Sequence, residues 1–138
     1  ALCPRVTPAQ FLKAGTEQLA GCGLSKRKAE YITDLAEHFK AGRVHVNEWS
    51  GMDDEAVIAE LTQIRGIGRW TAEMFLMFRL HRPDVLPVDD LGIVNAVQRL
   101  YKLRTRPDAK KLNKLGEAWR PYRSVASWYL WQSLSVKP

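Results

Sequence analysis

The sequence predicts an all-α domain of about seven short helices, and three observations carry that expectation. Apolar residues recur at helical spacing along most of the chain, while the strict alternation of a half-buried strand hardly appears. Thr, Ser and Asp stand just ahead of these stretches, where a side-chain oxygen satisfies the unpaired N–H groups of a helix start. Glycine and proline punctuate the segments and leave connections of two to eight residues, with no repeat and no long linker.

Each element follows from local chemistry. Thr7 caps the first helix with Pro8 at its first position, and Phe11, Leu12 and Leu19 carry the pattern to a stop at Gly21 and Gly23. Ser25 opens the second, in which Tyr31, Ile32, Leu35, Ala36 and Phe39 fall at helical spacing before Gly42. Asp53 caps the third, with Glu55 early and Val57, Ile58, Leu61 and Ile64 facing inward. The fourth runs from Arg69 to about Leu80, and Asp89 or Asp90 begins a fifth that reaches about Tyr101. Pro107 and Asp108 start a sixth over Ala109 to Trp119, and Pro121 opens the last, Tyr122 to about Leu134.

A chain of 138 residues is one domain by size, 1–138, and large enough for a real core. No apolar run approaches the roughly 20 residues of a membrane span. The N-terminal stretch lacks the basic start and apolar centre of a signal peptide. With no initiator Met, the chain is expected to be processed or a fragment. Cys3 and Cys22 read as free thiols of a reducing compartment. His38, His45 and His81 do not stand at metal-ligand spacing, and His81 near Asp84 reads as a solvated pair rather than a zinc site.

Net charge is +6, with pI ≈ 9.6, and it is unevenly placed. Nine basic residues between Arg99 and Arg123 face only Asp108 and Glu117, a local +7 that leaves the rest of the chain near −1. Such a block suits either an ordinary solvated face or a nucleic-acid surface.

The stretch LTQIRGIGRWTAEMF, residues 61–75, interrupts good helical sequence with Gly66 and Gly68. Glycine tolerates positive φ, and a chain turning there offers the unpaired N–H groups of the helix from Arg69, backed by the helix dipole, to an anion. Arg65 and Arg69 flank the turn. By spacing alone, a plain glycine-rich turn with no ligand stays open as the alternative.

Here the residues carry a resemblance. LTQIRGIGRWTAEMF looks like a helix-hairpin-helix motif, about residues 58–80, and RPDVLPVDDLGIVNAVQRLY resembles the Gly/Pro-rich loop, aspartate and helix, about 84–101, of the HhH-GPD DNA glycosylases. GLSKRKAEYITDLAEHF and WRPYRSVASWYLWQSL are similar to an upstream helix and the closing helix of that family, so the likeness spans roughly Thr7 to Leu134. It is nearest to the 3-methyladenine DNA glycosylase II group, in which IGRWTA is followed by LPxDD. The resemblance implies an HhH-GPD fold and double-stranded DNA bearing an alkylated base as partner. It implies no membrane, and action at the genome, in the nucleoid of a bacterial cytoplasm or in a nucleus. The family carries further helices ahead of Thr7, and some members an N-terminal β domain. The chain is therefore expected to lack an N-terminal part, leaving apolar surface exposed or pairing with another chain.

The resemblance also assigns residues. The hairpin amides, at Gly66 and Gly68 with Arg65 and Arg69 beside them, would grip a backbone phosphate without reading sequence. The carbonyls of Thr62, Ile64 and Ile67 would hold a monovalent cation. The family's aspartate stands three residues before an isoleucine, which selects Asp90 over Asp89 as the catalytic carboxylate and leaves Asp89 as the helix cap. Cleaving an N-glycosidic bond builds positive charge on the sugar, which a fixed carboxylate stabilises, and the first turn of a helix favours its ionisation. Trp70 stands where bifunctional relatives carry a Schiff-base lysine, so the resemblance implies a monofunctional hydrolase of alkylated bases such as 3-methyladenine. A cationic alkylated base would stack on Trp70. Met74 and Gln132 replace pocket tyrosines of the nearest relatives, leaving Trp128, Tyr129 and Trp131 to compensate. On periodicity alone Trp70, Met74, Met77 and Phe78 form a core stripe. No cofactor is implied beyond the cation, because the four-cysteine iron–sulfur loop is absent. Two other readings stand beside this one: a non-catalytic helix-hairpin-helix DNA-binding module, and a bifunctional glycosylase/lyase that Trp70 disfavours.

Overall fold

Five helices begin where a side chain is available to cap them. In the computed structural model, which describes residues 7–135, Thr7, Ser25, Asp53, Asp90 and Asp108 each accept the amide three residues on. The helices are α1 (Pro8–Gly21), α2 (Lys26–Lys40), α3 (Asp54–Thr62), α4 (Arg69–Phe78), α5 (Leu91–Leu100), α6 (Ala109–Gly116) and α7 (Arg123–Ser135), with a 3-10 turn at Glu117–Trp119. Among the described residues there is no strand, and no helix is long and apolar enough to cross a membrane. The all-α expectation holds, with differences of detail. α1 is broken by Gly15 at φ 73, and the sixth helical segment tightens to 3-10 after Gly116.

Asp90, not Asp89, caps α5. Both satisfy the sequence rule, but the turn over residues 88–89 brings the Asp90 amide to the Pro87 carbonyl at 3.1 Å and leaves Asp89 exposed. Cys22 is exposed and free, while Cys3 lies outside the described residues.

The chain forms two compact units, Ala1–Gly68 and Arg69–Pro138. In the first, α1 and α2 pack together, and Leu19, Ala29, Ala36, Val57, Ile58, Leu61 and Ile64 are buried. The α2–α3 connection is pinned by Glu60, which accepts the His45 amide at 2.6 Å, pairs with His45 Nδ1 at 2.9 Å and accepts the Trp49 indole at 2.8 Å. That pairing raises the His45 pKa.

In the second unit, Leu86, Ile93, Ala96, Val97, Leu112 and Leu130 form the core, with Leu103, Leu115, Trp119 and Trp131 packed against it. A fully buried Ile, Leu or Val contributes about 1.5–3 kcal/mol, against about 1 kcal/mol for a cap. The apolar cluster therefore decides where α5 lies, and the cap only where it starts. The α4–α5 connection is latched to the start of α7. Asp84 accepts Arg123 Nε at 2.6 Å and Arg120 Nη1 at 2.8 Å, and Ser124 accepts the Val85 amide at 2.9 Å while donating to the Arg82 carbonyl at 2.6 Å. The expected pairing of His81 with Asp84 is thus replaced. Two guanidiniums, with several donors each, outcompete one imidazole for the carboxylate.

Candidate active site

The latch and the core deliver Asp90 to the head of α5, where it is 9% exposed. Its Oδ1 accepts the Ile93 amide and the Trp131 indole N–H, both at 2.8 Å, and its Oδ2 accepts the Trp70 indole N–H, also at 2.8 Å. Residues 20 and 41 positions away in the sequence thus meet on one carboxylate. Burial pushes its pKa up, but the donors from Trp131, Ile93, Trp70 and Gly92 outweigh that, and the carboxyl is held below the 3.8 of an ordinary aspartate. Ionisation, expected from the helix start alone, rests on two indoles as well, which local sequence does not reveal.

Trp70 is 48% exposed although its N–H is engaged, so the edge of the ring orients the carboxylate while much of the ring stays open. The expected core stripe on α4 divides accordingly. Met77 is buried, Met74 is half-buried one turn beyond Trp70, and Phe78 is 58% exposed and stacks on Trp131 with ring centroids 6.0 Å apart. Gln132 is exposed, and as the neighbour of Trp131 on α7 it points about 100° away from it. The structure therefore joins Asp90, Trp70 and Trp131 and places Met74 and Gln132 on the same helices without a bond to the carboxylate. Trp128 and Tyr129 line a cavity of about 410 Å³ with Met77, Phe78, His81 and Arg82.

Gly92 is a site residue that sequence reasoning missed. A Cβ there would stand 3.0 Å from both Asp90 Oδ1 and Trp131 Cδ1, so the indole reaches the carboxylate only over a bare backbone. The available signal was a glycine at the second position of a helix, where its propensity is poor.

At the hairpin, Gly66 takes φ 88, whereas Gly68, expected to share that freedom, does not adopt positive φ. Gly66 alone takes a positive φ in this turn, and the space where a Gly68 side chain would stand is open. The Ile67 amide donates to the Ile64 carbonyl at 3.0 Å, closing a tight turn that includes two of the three carbonyls assigned to a cation. Arg65 pairs with Glu30 at 3.5 Å, and Arg69 with the buried Glu73 at 3.0 Å. No group of three or more His, Cys, Asp or Glu able to hold a metal occurs among the described residues.

Comparison with known proteins completes the picture. A profile described as HhH-GPD superfamily base excision DNA repair protein matches residues 1–121. The chain is 39% identical to DNA-3-methyladenine glycosylase 1 of Schizosaccharomyces pombe over 92% of its own length and 56% of that protein. It superimposes with TM-score 0.83 and 38% identity on the S. pombe 3-methyladenine DNA glycosylase in complex with abasic DNA, covering 94% of this chain and 64% of that one. A DNA-3-methyladenine glycosidase of Bacillus halodurans also matches at TM-score 0.83, with 44% identity over 94% of this chain and 59% of that one. The chain thus spans little more than half the length of these relatives.

Proposed function

The chain belongs to the HhH-GPD superfamily of base excision DNA repair proteins, and we propose that it carries the catalytic part of a monofunctional DNA glycosylase of the 3-methyladenine glycosylase II type. The observation that carries this reading is a buried, ionised aspartate held by two indole N–H groups, with one of those indoles half open. A module that only grips DNA has no use for a charge kept out of water at such cost.

In the reaction, the C1′–N bond breaks and its electron pair leaves with the base, while positive charge grows on the sugar. The Asp90 carboxylate stabilises that charge. Its Oδ2 accepts one indole against two donors at Oδ1, which makes it the oxygen with room for the sugar or the attacking water. Water adds its oxygen to C1′ and gives up a proton to the Asp90 carboxylate, which passes it to bulk water. An alkylated purine is already cationic, so it leaves readily and is attracted to the open face of Trp70. Gly66 and Gly68 present backbone amides to a DNA phosphate, with Arg65 and Arg69 beside them. The carbonyls of Thr62 at the end of α3 and of Ile64 and Ile67 on the turn after it are neutral oxygens of the kind that would hold a monovalent cation, which would supply electrostatic bridging to DNA. The substrate is alkylated double-stranded DNA, met in a nucleoid or a nucleus.

The direct test is Asp90→Asn in the full-length protein. Base release from alkylated duplex should fall by at least ~100-fold, the scale of losing a main charge-stabilising group, with duplex binding retained. Near wild-type release by this variant would remove Asp90 from the chemistry.

A further inference from the structure

We propose that Asp34 on α2 is the positioning residue of the phosphate-gripping hairpin, acting through the Arg65 amide; this rests on reading that hairpin as the grip.

Glu30 and Tyr31 stand one turn ahead of Asp34 on α2, and all three meet the hairpin loop. Asp34 Oδ2 accepts the Arg65 amide at 2.6 Å, a short charge-assisted bond. Glu30 holds the Arg65 guanidinium at 3.5 Å. The ring of Tyr31 fills the space where a Gly66 side chain would be, its Cε2 only 2.7 Å from the Cβ position. Tyr31 is itself fixed, because Arg27 Nε donates to its hydroxyl at 2.6 Å and the guanidinium lies 5.7 Å from the ring centroid. Gly66 therefore has two reasons to be glycine, its φ of 88 and the ring beneath it.

The consequence concerns which donors a phosphate can use. In the turn from Ile64 to Gly68, the Arg65 amide is committed to Asp34 and the Ile67 amide to the Ile64 carbonyl. The Gly66 and Gly68 amides make no hydrogen bond within the described residues. Asp34 thus orients the Ile64–Arg65 peptide, one ahead of the Gly66 amide, and leaves the glycine amides standing for a ligand. A loop already ordered does not lose that freedom on binding, which is where preorganisation adds affinity. The placement runs against simple electrostatics. Two carboxylates near an anion site weaken it through charge, so their worth must lie in geometry.

Asp34→Ala and Asp34→Asn separate geometry from charge, since asparagine keeps an acceptor oxygen and loses the charge. For Asp34→Ala in the full-length protein, undamaged duplex should bind on the order of ten-fold more weakly, the scale of one charged hydrogen bond. The rate constant for base release at saturating enzyme should stay as in wild type. Asp34→Asn should restore binding. Amide exchange of Arg65, followed by NMR without DNA, should be slow in wild type and Asp34→Asn and fast in Asp34→Ala. Wild-type binding by Asp34→Ala, or an Arg65 amide exchanging equally fast in all three proteins, overturns the proposal. So does a loss in which binding and saturated rate fall together without rescue by asparagine. Absence of base release in the wild type would instead fail the glycosylase reading, with the exchange measurement still deciding the role of Asp34.

Discussion

At Asp90 the atom that accepts the Ile93 amide also accepts the Trp131 indole, so Oδ1 caps the helix and fixes the carboxylate while Oδ2 keeps room for the reaction. Because donors depress this pKa, the carboxylate is present at every pH above the ordinary aspartate value and is lost only as pH falls through a lower one. Single-turnover base release should therefore show no acid limb from Asp90 until below pH 3.8. Trp131→Phe or Trp70→Phe, each removing one donor, should move that limb to higher pH, and an unmoved limb would mean the indoles do not control the charge. Asp90→Asn separates the two jobs, since asparagine caps as well as aspartate. Its helix content by circular dichroism should persist while release is lost. Gly92→Ala tests close approach against propensity. Alanine is the better helix former by about 1 kcal/mol, yet a methyl 3.0 Å from Oδ1 and from Trp131 should lower both Tm and release. A more stable and fully active Gly92→Ala protein would refute the close approach.

Among the elements, the Asp84 latch ties the α4–α5 connection to the start of α7. Arg123 lowers the Asp84 pKa first of all by its hydrogen bond, so the latch stabilises above the ordinary carboxylate range and is lost as pH falls through the lower folded value. Arg123→Ala should cost about 1–3 kcal/mol in urea unfolding near neutral pH, and the deficit should shrink on acidification. A deficit unchanged by acid would place the effect outside the ion pair. The latch also marks what could be read in advance. Helix starts were legible because Thr7, Ser25, Asp53 and Asp108 act within four residues of themselves. Asp89 and Asp90 could not be told apart as caps, because adjacent carboxylates obey the same rule and the turn after Pro87 decides between them. Arg123 was invisible as the partner of Asp84, since a separation of 39 residues leaves no periodic trace. For the same reason Trp131 was expected to help form the pocket, but not to hold the charge.

For the whole molecule, the charge imbalance becomes a surface property. Lys102, Arg104, Arg106, Lys110, Lys111 and Lys114 are exposed and form no ion pair among the described residues, whereas Arg69, Arg120 and Arg123 are matched with carboxylates. Lys102 follows the far end of α5, about 15 Å from its head by helical rise. With Trp70 in place of an amine, borohydride added during reaction with alkylated DNA should trap no covalent complex, and the product strand should stay whole until alkali is added. A trapped adduct would overturn the monofunctional reading. One feature at the head of α5 also bears on the fate of damaged copies of the protein. The carboxylate is charged in any open chain at neutral pH, but it is shielded from water and aimed only when a helix turn and two tryptophans, contributed by three separate stretches of chain, have closed around it. A copy that is half-made, heat-damaged or nicked near α7 should therefore fall silent before it becomes indiscriminate.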